Sequence, residues 1–169
     1  MQDTESPDWR DDVIQDFARS ELFERTFQEG MALVEETAAY LDGGGRQESK
    51  LLSRNAALAY AAESMRLTTR LMQVASWLLV QRAVREGDMA PAAACEDHYR
   101  LNADPAVSAE VLAPRTELPT NLTRLADRAE RLYERVRHLD RRMYVENPAD
   151  EGTNAVLGQM SRLKTAFGS

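Results

Sequence analysis

Cysteine is nearly absent from this sequence. Cys95 stands alone among 169 residues, so no disulfide can form within the chain, which fits a reducing cytoplasm. Histidine is as scarce, with only His98 and His138. A zinc site takes about four ligands at characteristic spacing, and Cys95, Glu96, Asp97 and His98 offer too few of them, so no metal is expected. The same residues do not make a Cys–His nucleophile pair, because nothing supplies an orienting partner. Lysine is reduced to Lys50 and Lys164 beside many arginines, a bias read as base composition of the genome rather than function. No apolar run approaches the ~20 residues that span a bilayer, and Ser76 breaks the most apolar stretch, Val74 to Val80. Residues 1–12 are acidic and lack the basic start and apolar run of a signal peptide. A cytoplasmic protein without membrane insertion is expected.

Basic charge is also in deficit. The formal net charge is −7, which argues against nucleic-acid binding, since phosphate contacts need a basic surface. The charge is uneven: residues 1–50 hold thirteen acids and five bases, whereas 118–144 hold seven bases and four acids. Such segments attract within the fold or between copies, or they are simply solvated helix faces, the reading preferred because screened surface pairs contribute little.

What is present is helical patterning. Leu118, Leu122, Leu125, Ala129, Leu132, Val136, Leu139 and Met143 recur at four- and three-residue steps, a single apolar seam on a helix otherwise covered in charge. This is the third of three predicted helices and runs from Leu118-Pro119 to about Tyr144, with Asn147-Pro148 as its stop. The first runs from about Ser20, a plausible N-cap, to Leu41, with Phe23, Phe27, Met31, Val34, Ala38 and Leu41 on one face. Gly43, Gly44 and Gly45 end it as a turn, because glycine tolerates left-handed backbone. No strand precedes them and no phosphate-loop spacing is present, so a phosphate-handling enzyme has no supporting residues.

The second predicted helix is the longest, from Glu48 to Glu86, stopped by Gly87. Leu51, Leu58, Met65, Met72 and Leu79 repeat every seven residues along one side. Leu67, Leu71, Val74 and Leu78 lie roughly 150–180° around the helix. Two opposed apolar faces demand two covers. One is the other two helices; the second is either the long connection that follows or another copy of the chain. Homodimerisation is the preferred reading, with Leu67, Leu71, Val74 and Leu78 as the candidate dimer interface.

Residues 88–117 carry Pro91, Pro105 and Pro114 and read as a long connection, in which His98, Tyr99 and Leu101 are expected to pin the chain to the bundle. The expected domain plan is a flexible segment over 1–18, in which Val13, Ile14 and Phe17 form at most a short turn, a bundle over 19–146 and a disordered tail over 147–169. Within the tail, Val156, Met160, Leu163 and Phe167 would share one face of a helix. That pattern suits docking into a partner's groove, or folding back on the bundle. The fold class is all-α: a three-helix bundle with a long central helix, a long loop between helices two and three, and flexible termini, paired as a homodimer.

Chemistry is hard to find. Adjacent carboxylates such as Glu35-Glu36 diverge by 100° on a helix, and di-metal bundles need Glu three residues before an inward His, where this chain has Cys95 and Arg135. His138 is read as a charge partner for Glu134. Catalytic residues, cofactors and enzymatic activity are not expected.

Two stretches carry a resemblance. One is Ser53 to Gln73 (SRNAALAYAAESMRLTTRLMQ), leading into Trp77 to Val84 (WLLVQRAV); the other is Leu118-Pro119 with Arg131 to Val136 (RLYERV) and Leu139-Asp140. They resemble the regulator of CtrA degradation family, RcdA, small proteins of alpha-class proteobacteria. The resemblance implies a three-helix homodimer with flexible loops and termini. It further implies an adaptor that helps the ClpXP protease destroy the cell-cycle regulator CtrA, together with the response regulator CpdR and the cyclic-di-GMP-binding protein PopA, at the cell pole. A helical scaffold that organises polar complexes without delivering substrate is the alternative.

Overall fold

The computed structural model describes residues 9–94, 99–101 and 113–144. These form six α-helices: α1 (Trp9–Ala18), α2 (Glu21–Asp42), α3 (Gly44–Ser49), α4 (Arg54–Glu86), α5 (Pro91–Ala94) and α6 (Thr120–Tyr144), with a 3₁₀ turn at Arg115–Glu117. No strand occurs among the described residues, so the chain is all-α there. The tail residues Val156, Met160, Leu163 and Phe167, and the pair Cys95 and His98, lie outside the described residues.

Local signals set the helix ends. Ser20 Oγ accepts from Phe23 N–H at 3.1 Å, and Ser53 Oγ accepts from Ala56 N–H at 3.2 Å, each satisfying a donor that a helix start leaves unpaired. Gly87, with φ of 81°, stops α4 in left-handed backbone, and Asp88 N–H returns to the Ala83 carbonyl at 2.9 Å. The Gly43–Gly45 turn differs from expectation. Gly43 has φ of −115°, so no left-handed residue is used, and the next two glycines open the short helix α3. The long helix accordingly begins at Arg54, and Leu51 belongs to the break before it.

Gly45 is there for space. A Cβ on it would lie 2.6 Å from the Tyr60 hydroxyl and 2.8 Å from the Tyr40 carbonyl oxygen, whereas one on Gly44 meets nothing within 4 Å. Gly45→Ala is expected to lower stability by roughly 1–3 kcal/mol through overpacking. Gly44→Ala should leave stability unchanged or raise it by up to about 1 kcal/mol through helix propensity. Urea unfolding of the two variants side by side checks this; equal midpoints would remove the close approach as the reason for the second glycine.

The three long helices pack on one another pairwise, and their contacts give the directions. Arg70 pairs with Glu130, Trp77 with Asp140 and Gln81 with Tyr144; both sequence numbers rise together, so α4 and α6 are parallel. Arg85 meets Glu24 on α2 and Gly30 sits under Leu78, so α2 is antiparallel to α4. The pairs Arg128–Glu36 and Arg135–Glu29 make it antiparallel to α6 as well. A parallel pair cannot be joined by a short turn; the chain must travel back along the helices. That requirement is the physical reason for the long connection between Glu86 and Thr120. The same ion pairs, 2.6 and 2.5 Å long, bring the acidic first segment against the basic last helix within one chain. Being half-exposed, each contributes roughly 0–1 kcal/mol.

The seam on α6 is buried: Leu122, Leu125, Ala129, Leu132, Val136 and Met143 all face the core. The buried face of α2 is rotated from the expected one. It runs through Phe23, Thr26, Gly30, Leu33 and Thr37, while Phe27, Met31 and Val34 flank it and Ala38 is exposed. Small residues face inward because α4 approaches closely there; a Cβ on Gly30 would fall 2.7 Å from Leu78 Cδ1. The expectation of a flexible 1–18 is corrected over its second half. Residues 9–18 form helix α1, whose Ile14 and Ala18 are fully buried. The Phe17 ring meets Phe23 edge to face and Trp77 at a tilt, with ring centres 5.8 Å apart in both pairs, and that apolar contact holds the helix down despite its polar composition.

Candidate interaction surface

The structure gives α4 two faces of different fate. Leu67, Leu71, Val74 and Leu78 are at most 4% exposed, enclosed by the chain's own helices. The assignment of these four to a dimer interface is therefore corrected: a second copy cannot reach side chains that α1, α2 and α6 already cover. The heptad set is the exposed one. Leu58, Met65, Met72 and Leu79 are 51%, 73%, 65% and 53% exposed, and Leu51 stands out at 87%. Apolar content alone does not separate the two faces. Polar residues on the buried side do, because each finds a partner on another helix.

Those partners form a ladder. Arg70, almost fully buried, pairs with Glu130 and lies 5.7 Å from the Tyr133 ring centre. Trp77 Nε1 donates to Asp140 Oδ1 at 3.0 Å, and Gln81 Nε2 donates to the Tyr144 hydroxyl at 2.7 Å. Arg100, from the long connection, grips Asp140 with two parallel bonds, Nε to Oδ1 at 3.0 Å and Nη2 to Oδ2 at 2.9 Å. It also stacks 4.9 Å from the Tyr144 ring centre. Among the described residues Arg100 pins the connection, together with the half-buried Leu101, whereas the expectation for His98 lies outside them. No local pattern singled out Arg100.

Between this pinned segment and α4 lies an open groove of about 460 Å³, lined by Thr69, Met72, Gln73, Ser76, Trp77, Val80 and residues 99–101. It adjoins the exposed heptad face, so groove and seam form one continuous, largely apolar surface. At the other end of the molecule the Glu48 carboxylate accepts from the Tyr40 hydroxyl at 2.6 Å and from Asn121 Nδ2 at 3.1 Å. Burial, then the neighbouring Glu48 charge, pushes the Tyr40 phenol up and keeps it protonated. The Arg85 guanidinium bonded to Glu24 holds that carboxyl below its usual range. Both are structural clasps. Glu134 ion-pairs with Arg137 at 3.7 Å, and His138 is exposed. Among the described residues, no three His, Cys, Asp or Glu side chains converge on a point that would hold a metal ion. No helix among them is long and apolar enough to cross a membrane.

Residues 14–167 match a family of proteins of unknown function, DUF1465. No curated protein matches the chain. Among solved structures, the crystal structure of RcdA from Caulobacter crescentus CB15 is 71% identical, with a TM-score of 0.66, covering 79% of this chain and 99% of that one. The phrases in α4 and α6 that carried the resemblance thus extend to almost the whole of a solved relative, and the chain belongs to the DUF1465 family, that of RcdA.

Proposed function

We propose that this protein is a non-enzymatic adaptor for regulated proteolysis, helping to deliver CtrA to the ClpXP protease, a reading that starts from its likeness to RcdA, the regulator of CtrA degradation. The observation that carries the reading is 71% identity across 99% of the RcdA chain. CpdR and PopA are the co-adaptors it implies, and the cell pole is the place. The working form is a homodimer of three-helix bundles.

The mechanism is one of effective concentration. A body that holds substrate and protease complex together turns a weak encounter into a nearly intramolecular one, with gains of roughly 10²–10⁴ in avidity and no new contact chemistry. Rigidity of the body matters because slack dilutes the tethered partner. The Asp140–Arg100 clamp and the close α2–α4 contact at Gly30 supply it. Exposed apolar side chains on a rigid helix supply a surface for the second copy of the homodimer.

A reconstituted ClpXP reaction containing CtrA, CpdR and PopA tests the proposal. Adding this protein is expected to accelerate loss of CtrA. An unchanged rate, with co-adaptors still bound, would leave only a scaffold. The tail gives a finer test. Removing residues 150–169, with Val156, Met160, Leu163 and Phe167, is expected to leave helical circular dichroism and the dimer mass intact while abolishing delivery. A truncated protein that still supports degradation would reject the tail as the docking element.

A further inference from the structure

The exposed seam of α4 reads Leu58, Met65, Met72, Leu79, and this order is symmetric. The two leucines stand equally far from a point between Thr68 and Thr69, and so do the two methionines. We infer that α4 pairs with α4 of a second copy in antiparallel register about that point, an inference that rests on the homodimer reading above. A two-fold axis through Thr68–Thr69 sets Leu58 of one protomer on Leu79 of its partner and Met65 on Met72, so every apolar side chain meets its own kind. That is the self-complementarity a closed two-copy interface requires.

The residues between the seam positions fit the same geometry. Ala61, Ala62, Thr68, Thr69, Ala75 and Ser76 are small, so the side chains of α4 itself do not keep a second helix beyond the 8–10 Å at which helices normally pack. Charge chooses the direction. Arg54 stands one turn before Leu58 and Glu86 seven residues after Leu79, at opposite ends of α4. Antiparallel pairing places Arg54 of one protomer within a helical turn of Glu86 of its partner, at both ends. There Arg54 joins a carboxylate that Arg82 already contacts at 2.9 Å. Parallel pairing would instead set Arg54 on Arg54 and Glu86 on Glu86. The helix dipoles also oppose favourably in the antiparallel arrangement.

Single cysteines in full-length protein carrying Cys95→Ser, linked by a short bismaleimide, test the register. Thr69→Cys is expected to cross-link to itself. Leu58→Cys and Leu79→Cys, purified separately and mixed, are expected to link to each other and neither to itself, since like positions lie roughly 30 Å apart along the helix at 1.5 Å per residue. All three sites are solvent-facing, and circular dichroism checks that each variant folds. As a second measurement, Arg54→Glu is expected to weaken dimerisation about two- to ten-fold, and Arg54→Glu with Glu86→Arg to restore it. Self-linking of Leu58→Cys would overturn the antiparallel register. A dimer by analytical ultracentrifugation with no cross-link at any site would move the interface to another face. A monomer at all concentrations would end the homodimer reading itself.

Discussion

Replacing Asp140 by alanine is expected to cost the fold about 3–5 kcal/mol, the range for breaking one side of a buried ion pair. At this chain length that lowers the melting temperature by roughly 6–20 °C. The Asp140 side chain is 3% exposed and its partner Arg100 20% exposed, so water cannot take over what the carboxylate provides. Three groups lose an acceptor at once: the Arg100 guanidinium, the Trp77 indole N–H and, more distantly at 3.5 Å, the Leu101 backbone N–H. Asp140→Asn keeps an oxygen for Trp77 and should fall between wild type and alanine. Asp140→Leu combined with Arg100→Met should lose less than Asp140→Ala alone, because no uncompensated charge stays behind. Thermal melts followed by circular dichroism read all four proteins. Because Arg100 holds the connection against α6, trypsin should also cut between residues 88 and 117 faster in Asp140→Ala. A melting point within a degree or so of wild type would show that the clamp contributes nothing.

The same clamp explains what the sequence concealed. Asp140 sits in a helix crowded with charge, and nothing nearby distinguishes it from solvated acids such as Asp127 or Glu134. Its role depends on Arg100, forty positions away. Arg70 and Gln81 are concealed in the same way. A hydropathy pattern counts them as solvent-facing, yet they lie on the core side of α4 because Glu130 and Tyr144 arrive from α6. Hydropathy therefore leaves the two faces of α4 equivalent, and their burial is what shows Leu67, Leu71, Val74 and Leu78 to be the covered set. On α2, glycine and threonine carry no apolar signal, so the part of the buried line made by Thr26, Gly30 and Thr37 stayed hidden while Phe27, Met31 and Val34 beside it drew attention.

Where the core is purely aliphatic the reading was sound. The seam of α6, the stop at Gly87 and the cap at Ser20 were all legible, because each depends on a local rule rather than a distant partner. The number of long helices and the need for a long connection followed from periodicity and proline placement. The direction of α6 relative to α4 did not. Function was legible only through the phrases shared with a family. No reacting group announces an adaptor, whose chemistry is surface shape and tethering.

Leu78→Ala and Leu79→Ala, neighbours on α4, are expected to act on different equilibria. Leu78 is fully buried where three helices meet: an added Cβ on Gly30 of α2 would sit 2.7 Å from its Cδ1 and 3.8 Å from Leu132 Cδ2 of α6. Truncating it forfeits transfer energy and leaves a cavity that rigid neighbours cannot close, about 2–5 kcal/mol in all. The vacated volume is the space that a methyl on Gly30 would occupy. Leu78→Ala with Gly30→Ala should therefore recover part of the loss, by filling the cavity and by up to about 1 kcal/mol of helix propensity, a coupling expected only of touching residues. Leu79, more than half exposed, should cost the protomer about 1 kcal/mol or less while weakening association of copies. Urea unfolding and sedimentation, run on the same three variants, separate the two effects. Loss of dimer with an unchanged unfolding midpoint in Leu78→Ala would return the interface to the face buried here and invert the assignment of α4.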